Sequence, residues 1–108
     1  MKLSNSILRV FEVRAKPGQV DTLKQKLSDT SVSVVNGKPG NMGHLFGENI
    51  STDGNDLVFI SVWKDLDSIK SLFGEDWEES YLPEGYDEII ESCSIKHIEF
   101  DGYLNSKK

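Results

Sequence analysis

Leu57 to Lys64 reads LVFISVWK, a run that is apolar on both faces apart from Ser61. β-Branched and aromatic residues mark it as a strand. A strand apolar on both sides belongs inside a sheet that is covered on both sides. Just before it, Thr52-Asp53-Gly54-Asn55-Asp56 puts Asp-Gly between two apolar runs, the usual hairpin signal. The partner strand is then Gly43 to Ile50, GHLFGENI, weakened by its glycines.

The first strand, Ile7 to Arg14, repeats the two-sided pattern. Ile7, Phe11 and Val13 share one face with Arg9, while Leu8 and Val10 share the other, so this strand is also central. Pro17-Gly18 stops it and starts a helix from about Pro17 to at least Asp29, striped by Val20, Leu23 and Leu27. Ser28 to Ser31 is poor helix sequence and leaves its far end unmarked. Asn36 to Gly40 is a turn cluster.

Asp65 or Asp67 can cap a second helix with the buried stripe Leu66, Ile69, Leu72 and Phe73, ended by Gly74. A further helical piece is expected to carry Trp77 and Tyr81, with Pro83 interrupting it. Tyr86, Ile89, Ile90 and Cys93 continue at helical spacing. Ser94 to Phe100 alternates as a last strand, and Asp101-Gly102 leads into a short polar tail ending Lys107-Lys108.

The order β-α-β-β-α-β is that of an α+β, ferredoxin-like domain, with one antiparallel sheet and both helices on one face. At 108 residues the chain reads as a single domain, 1–108, with its core at about 7–100. The other sheet face would then expose Leu8, Val10, Val58, Ile60 and Val62, a patch too apolar to leave in water. A homodimer, a second copy presenting the same patch, is the expected cover.

Charge and cysteine usage narrow the partners. A net charge of −6 argues against nucleic acid, which is bound by neutralising phosphates. No run approaches the roughly 18 apolar residues of a membrane span, and the N-terminus alternates rather than forming a secretory signal. The reading is a cytoplasmic protein with no membrane and no nucleic-acid partner. Between Glu75 and Glu91 eight acids occur without a base, read first as a solvated helix face and second as an acidic docking surface. EF-hand spacing is absent, no metal site is read, and the lone Cys93 reads as buried filler.

Several local stretches carry a resemblance that covers about Leu8 to Phe100. They are Lys16-Pro17-Gly18, Lys38-Pro39-Gly40 with Gly43, and the hairpin leading into Val62-Trp63-Lys64-Asp65. Gly74-Glu75-Asp76-Trp77-Glu78, then Pro83 and His97-Ile98-Glu99, complete the set. On these the chain resembles the antibiotic biosynthesis monooxygenase family of the dimeric α/β-barrel superfamily. The resemblance implies a dimeric α/β barrel. Its members include cofactor-independent oxygenases acting on aromatic polyketides, quinol oxygenases, haem-degrading enzymes and signal-related proteins.

The resemblance also implies a pocket lined by Trp63, between sheet and helices. Alternation puts Leu57, Phe59, Ser61 and Trp63 on one face, so Phe59 and Ser61 join it; a core tryptophan is the alternative. Trp77 and Tyr81, four apart, and Phe73 are further wall candidates, with packing as the competing role. His97 is the candidate base, weighed against a histidine satisfied at a sheet edge. His44 reads as solvent-exposed. Arg9 is the candidate anchor for a phenolate or carboxylate, because its charge sits among apolar neighbours and must find a partner. The haem-degrading branch carries a histidine where this chain has Gly74 and an asparagine on the first strand, where this chain has none, so haem breakdown is disfavoured.

The first expectation is a cofactor-independent monooxygenase acting on a small hydroxylated aromatic or quinol, with no cofactor. The alternative is a non-catalytic, small-ligand-binding or stress-related dimeric module.

Overall fold

The computed structural model describes residues 6–100; the polar tail assigned from Asp101 onward lies outside them. The element order is β1 (Ser6–Ala15), α1 (Val20–Lys26), a π-helical turn (Leu27–Ser31), α2 (Val32–Val35), β2 (Asn41–Glu48), β3 (Asp56–Trp63), α3 (Leu66–Phe73), a 3₁₀ turn (Gly74–Asp76) and β4 (Ile90–Phe100). The strands form one antiparallel sheet in the order β2-β3-β1-β4. This is the α+β ferredoxin-like arrangement, and the sheet is open. The two apolar-on-both-faces strands, β1 and β3, occupy its centre, as their sequences require.

Register fixes which side chains face the helices. Ile7, Arg9, Phe11 and Val13 of β1 lie opposite Trp63, Ser61, Phe59 and Leu57 of β3, and opposite Glu99, His97, Ile95 and Cys93 of β4. The apolar members of this face pack with Leu23, Leu27, Val35 and Ile69 into one buried core. Both helical layers therefore cover the same side of the sheet. Arg14 ties the hairpin to β4 through Asp53 at 2.6 Å, Asp56 at 3.0 Å and Glu91 at 3.6 Å.

Several local expectations need correction. The first helix starts at Val20 rather than Pro17, because Gly18 takes a left-handed φ of 80° that no helix contains. Its far end, which the sequence left unmarked, is Val35, reached by way of the π turn. The buried Tyr86 hydroxyl explains that turn: it donates to the Lys26 carbonyl at 2.8 Å and pairs with Ser31 Oγ at 2.7 Å. A side chain inserted into the backbone ladder leaves a π bulge behind it.

The helical piece expected around Trp77 and Tyr81 is instead the 3₁₀ turn followed by turns and extended chain up to β4. Arg9 takes the Trp77 carbonyl, which a helix would need for itself, and the Glu79 carbonyl, whose helical partner would be Pro83, which has no N–H to give. The acids of this stretch are all exposed, but on turns, and in the case of Glu91 on β4, rather than on a helix face. Tyr86 and Ile89 are buried from those turns, and Ile90 opens β4. Cys93 is exposed on the edge strand β4, not buried.

Asp65 does cap α3, its Oδ1 accepting from the Ser68 backbone N–H at 2.9 Å and from Ser68 Oγ at 2.7 Å. Gly40, at φ 85°, passes so close to Ser68 that a Cβ there would collide with its side chain. That close approach is what brings the start of β2 beside α3. Among the described residues no helix is long and apolar enough to cross a membrane.

Candidate active-site cleft

A narrow cleft with about 40 Å³ of free interior volume, partly open to solvent, lies between the helix-facing side of the sheet and the helical layer. Phe11, Phe59, Ser61, Ile95 and Arg9 form the sheet wall. Ser31, Val34 and Val35 form the opposite wall, and Phe73, Tyr81 and Pro83 close one end. The π turn matters here, because it is the segment that delivers Ser31 to this wall.

Arg9 is the charged member of the lining. Only 5% of it is exposed, and among the described residues no carboxylate lies within ion-pair distance of it. Its charge is solvated by neutral groups. Nη1 donates to the Trp77 carbonyl at 2.6 Å and to His97 Nε2 at 2.9 Å, and Nη2 donates to the Glu79 carbonyl at 3.2 Å. The guanidinium stacks 3.8 Å above the Phe73 ring, a cation–π contact strengthened by desolvation. Burial pushes Arg9 down to about 10, still protonated at neutral pH. A guanidinium has five N–H donors. Three are used here, so two have no acceptor among the described residues.

His97 lies behind Arg9 rather than in the cleft wall. Arginine cannot accept, so the 2.9 Å contact requires an unprotonated Nε2 and puts the histidine proton on Nδ1. Burial, with Arg9 second, lowers its pKa, while Glu78 acts weakly the other way. At neutral pH His97 is therefore uncharged, and its basic nitrogen is occupied. The Trp77 ring meets it edge-on at 5.0 Å. His97 and Trp77 hold Arg9; neither lines the cleft.

Trp63 is fully buried, and its indole N–H donates to Ser61 Oγ at 2.8 Å. It stands behind Ser61 rather than against the open space. With its oxygen accepting, the Ser61 hydroxyl keeps its own proton for a further acceptor. Ser31 differs: Tyr86 gives its one proton to Lys26, so Ser31 is the donor in its bond to Tyr86. Phe73 packs on Tyr81 at 5.8 Å and edge-on to Trp63 at 6.4 Å, joining the wall to the core.

Of the residues singled out in the sequence, Arg9, Phe59, Ser61, Phe73 and Tyr81 come together around the cleft, whereas Trp63, Trp77 and His97 support it from behind. The sequence reading missed Phe11, Ser31, Val34, Val35, Pro83 and Ile95. Phe11 and Ile95 were recoverable, since alternation sets each on a face with Arg9 or His97. The helix residues were not, because the π turn that aims them depends on Tyr86. His44 is part-buried rather than exposed; it stacks on Phe59 at 6.0 Å, and its Nδ1 has no hydrogen-bond partner.

The model of a family described as antibiotic biosynthesis monooxygenase matches residues 6–76. Among solved structures, a Deinococcus radiodurans protein named for the same family superposes with a TM-score of 0.72 at 14% identity, over 94% of this chain and 99% of that one. A Shewanella oneidensis protein gives 0.71 at 14% identity, over 95% and 98%. SnoaB, a cofactor-independent oxygenase from Streptomyces nogalater, gives 0.68 at 13% identity, over 95% and 100%. At such identities the likeness is one of fold. No curated protein matches the chain.

Proposed function

Because the chain belongs to the antibiotic biosynthesis monooxygenase family, we propose that it is a cofactor-independent monooxygenase acting on a small hydroxylated aromatic or quinol. The observation that carries this reading is a buried, carboxylate-free guanidinium, Arg9, in a cleft otherwise walled by aromatic, aliphatic and hydroxyl groups. Such chemistry needs a dry aromatic slot and a fixed positive charge where negative charge develops.

The ring lies between Phe59, Phe73 and Tyr81, with its oxygen toward Arg9 and the Ser61 hydroxyl. Loss of the ring hydroxyl proton raises electron density at a ring carbon that still bears hydrogen. That carbon forms a bond to dioxygen. The O–O bond then breaks, one oxygen staying as a new ring carbonyl and the other leaving as water with the two displaced protons. The substrate supplies all the electrons, so a phenol and dioxygen give a quinone and water. Arg9 stabilises the anion, and His97 and Trp77 keep Arg9 aimed.

Oxygen uptake is measured against a panel of naphthols, anthrones and quinols. The expected result is uptake with at least one of them, lowered by about 10²-fold or more in Arg9→Gln, the usual cost of losing a preorganised electrostatic partner. Uptake unaffected by that substitution removes Arg9 from the chemistry, and no uptake across the panel removes the oxygenase reading.

One observation favours the alternative of a non-catalytic ligand-binding module. The lining contains no side chain that accepts a proton at neutral pH. We also propose that the working form is a homodimer. Leu8, Val10, Leu45, Val58, Ile60, Val62 and Ile98 share the helix-free sheet face by register. Leu45 and Ile98 are 56% and 42% exposed. A twofold copy buries that face against itself.

A further inference from the structure

We infer that the cleft selects a flat aromatic ligand that already carries one negative charge on oxygen when it arrives, and that it discriminates against the neutral form of the same ring. The inference rests on the cleft being the ligand site, and it names the class of molecule that site takes: ring hydroxyls acidified enough to be ionised in neutral water, rather than simple phenols.

Three features of the site point there together. The first is the imbalance of its polar groups. Arg9 keeps two N–H donors, and Ser61 keeps its O–H, without acceptors among the described residues. Apart from Ser31 and Tyr81, which bear hydroxyls, the rest of the lining is hydrocarbon. A neutral ring entering such a slot displaces water from a buried cation and gives too little in return. An oxyanion satisfies those donors at once, through charge-assisted hydrogen bonds.

The second feature is the want of a base. A neutral phenol would have to lose its proton inside, and the lining offers nothing to receive it. His97 is the nearest basic group to the guanidinium, but its Nε2 accepts from Arg9 and its Nδ1 carries the proton. The exposed acids Glu78 and Glu79 follow Trp77 on the adjoining turn, and it is the backbone carbonyl of Glu79, not its carboxylate, that meets Arg9. Ionisation therefore belongs to solution and to the ligand's own acidity.

The third feature is rigidity. The cation cannot swing out to water, because its head is fixed by two carbonyls, one imidazole and the Phe73 face. A fixed donor array discriminates by charge and by position, where a flexible lysine would follow its counter-ion outward.

The test uses 4-nitro-1-naphthol, whose anion absorbs in the visible, and its methyl ether, which has the same ring but cannot ionise. Both are titrated with the whole protein in the absence of dioxygen. Buffers lie on either side of the naphthol's own ionisation. The expected result is growth of the anion band when protein is added on the acid side, and binding of the ether weaker by about tenfold or more, the worth of one charge-assisted hydrogen bond. Arg9→Gln should erase both the band growth and the preference, and Arg9→Lys should restore part of the preference. The wild-type comparison stands even where a variant fails to fold.

Equal affinity for naphthol and ether, loss of the anion band on binding, or no binding of either at millimolar concentration overturns the inference. The two readings fail separately. Charge-selective binding without oxygen uptake removes the oxygenase and leaves the selectivity. Oxygen uptake that ignores ligand charge does the reverse.

Discussion

Tyr86→Phe deletes one oxygen from a fully buried side chain and should cost far more than a lost surface hydroxyl. The hydroxyl donates to the Lys26 carbonyl at 2.8 Å and accepts from Ser31 Oγ at 2.7 Å. Ser31 can turn its proton to another nearby acceptor, but the Lys26 carbonyl, where the π turn begins, loses the buried donor that Tyr86 supplies. Leaving one such buried group unsatisfied costs about 1–3 kcal/mol. In a domain of this size that is a fall in Tm of about 5–20 °C.

The assay is urea and thermal unfolding at one fixed protein concentration, since self-association would add a concentration term. Tyr81→Phe, at a hydroxyl on a residue 54% exposed, is the control and should stay within about 0.5 kcal/mol. Burial also raises the Tyr86 pKa. The unfolded chain therefore loses this proton first as pH rises, and the wild type should lose stability above about pH 10 more steeply than the variant. A Tyr86→Phe protein within about 0.5 kcal/mol of wild type would refute the account of the π turn.

Two further outcomes follow from other contacts. His97 has a lowered folded pKa, chiefly from burial and then from Arg9. Its contribution to stability is full above the ordinary histidine value of about 6.5 and is lost as pH falls through the lowered folded value. In His97→Gln, whose amide oxygen can still accept from Arg9, Tm should fall less between about pH 8 and pH 5 than in wild type; equal slopes would remove His97 as the titrating group. Ile60→Lys puts a charge in the middle of the helix-free sheet face, beside Val10 and Leu45. Native mass spectrometry should then read the 12.1 kDa chain where wild type reads twice that mass, and a monomeric wild type would remove the homodimer.

Much of the fold is written locally. Residue alternation identified β1 and β3 as two-sided, and two-sided strands go to the centre of a sheet. Asp-Gly marked the loop that joins β2 to β3, and Asp65 and Gly74 bounded α3. The same alternation put Arg9, Phe59 and Ser61 on one face, so half of the cleft was legible before any packing was considered. These signals work because a strand repeats every two residues, and a cap needs only its own next turn.

The tertiary structure decided wherever two distant groups competed for one backbone atom. After the 3₁₀ turn at Gly74–Asp76, Pro83 denies the Glu79 carbonyl a helical donor, and Arg9, nearly seventy positions earlier, takes both that carbonyl and the one of Trp77. Lys26 to Ser31 would be plain α-helix but for the Tyr86 hydroxyl, sixty residues on from Lys26, which claims a carbonyl and so turns Ser31 into the cleft. His97 looked like a base by its residue type; its contact with Arg9 makes it a support. Composition and spacing determine which residues can share a face. Which donor reaches which acceptor depends on folding, because a hydrogen bond is settled by distances of about 3 Å that no spacing along the chain encodes.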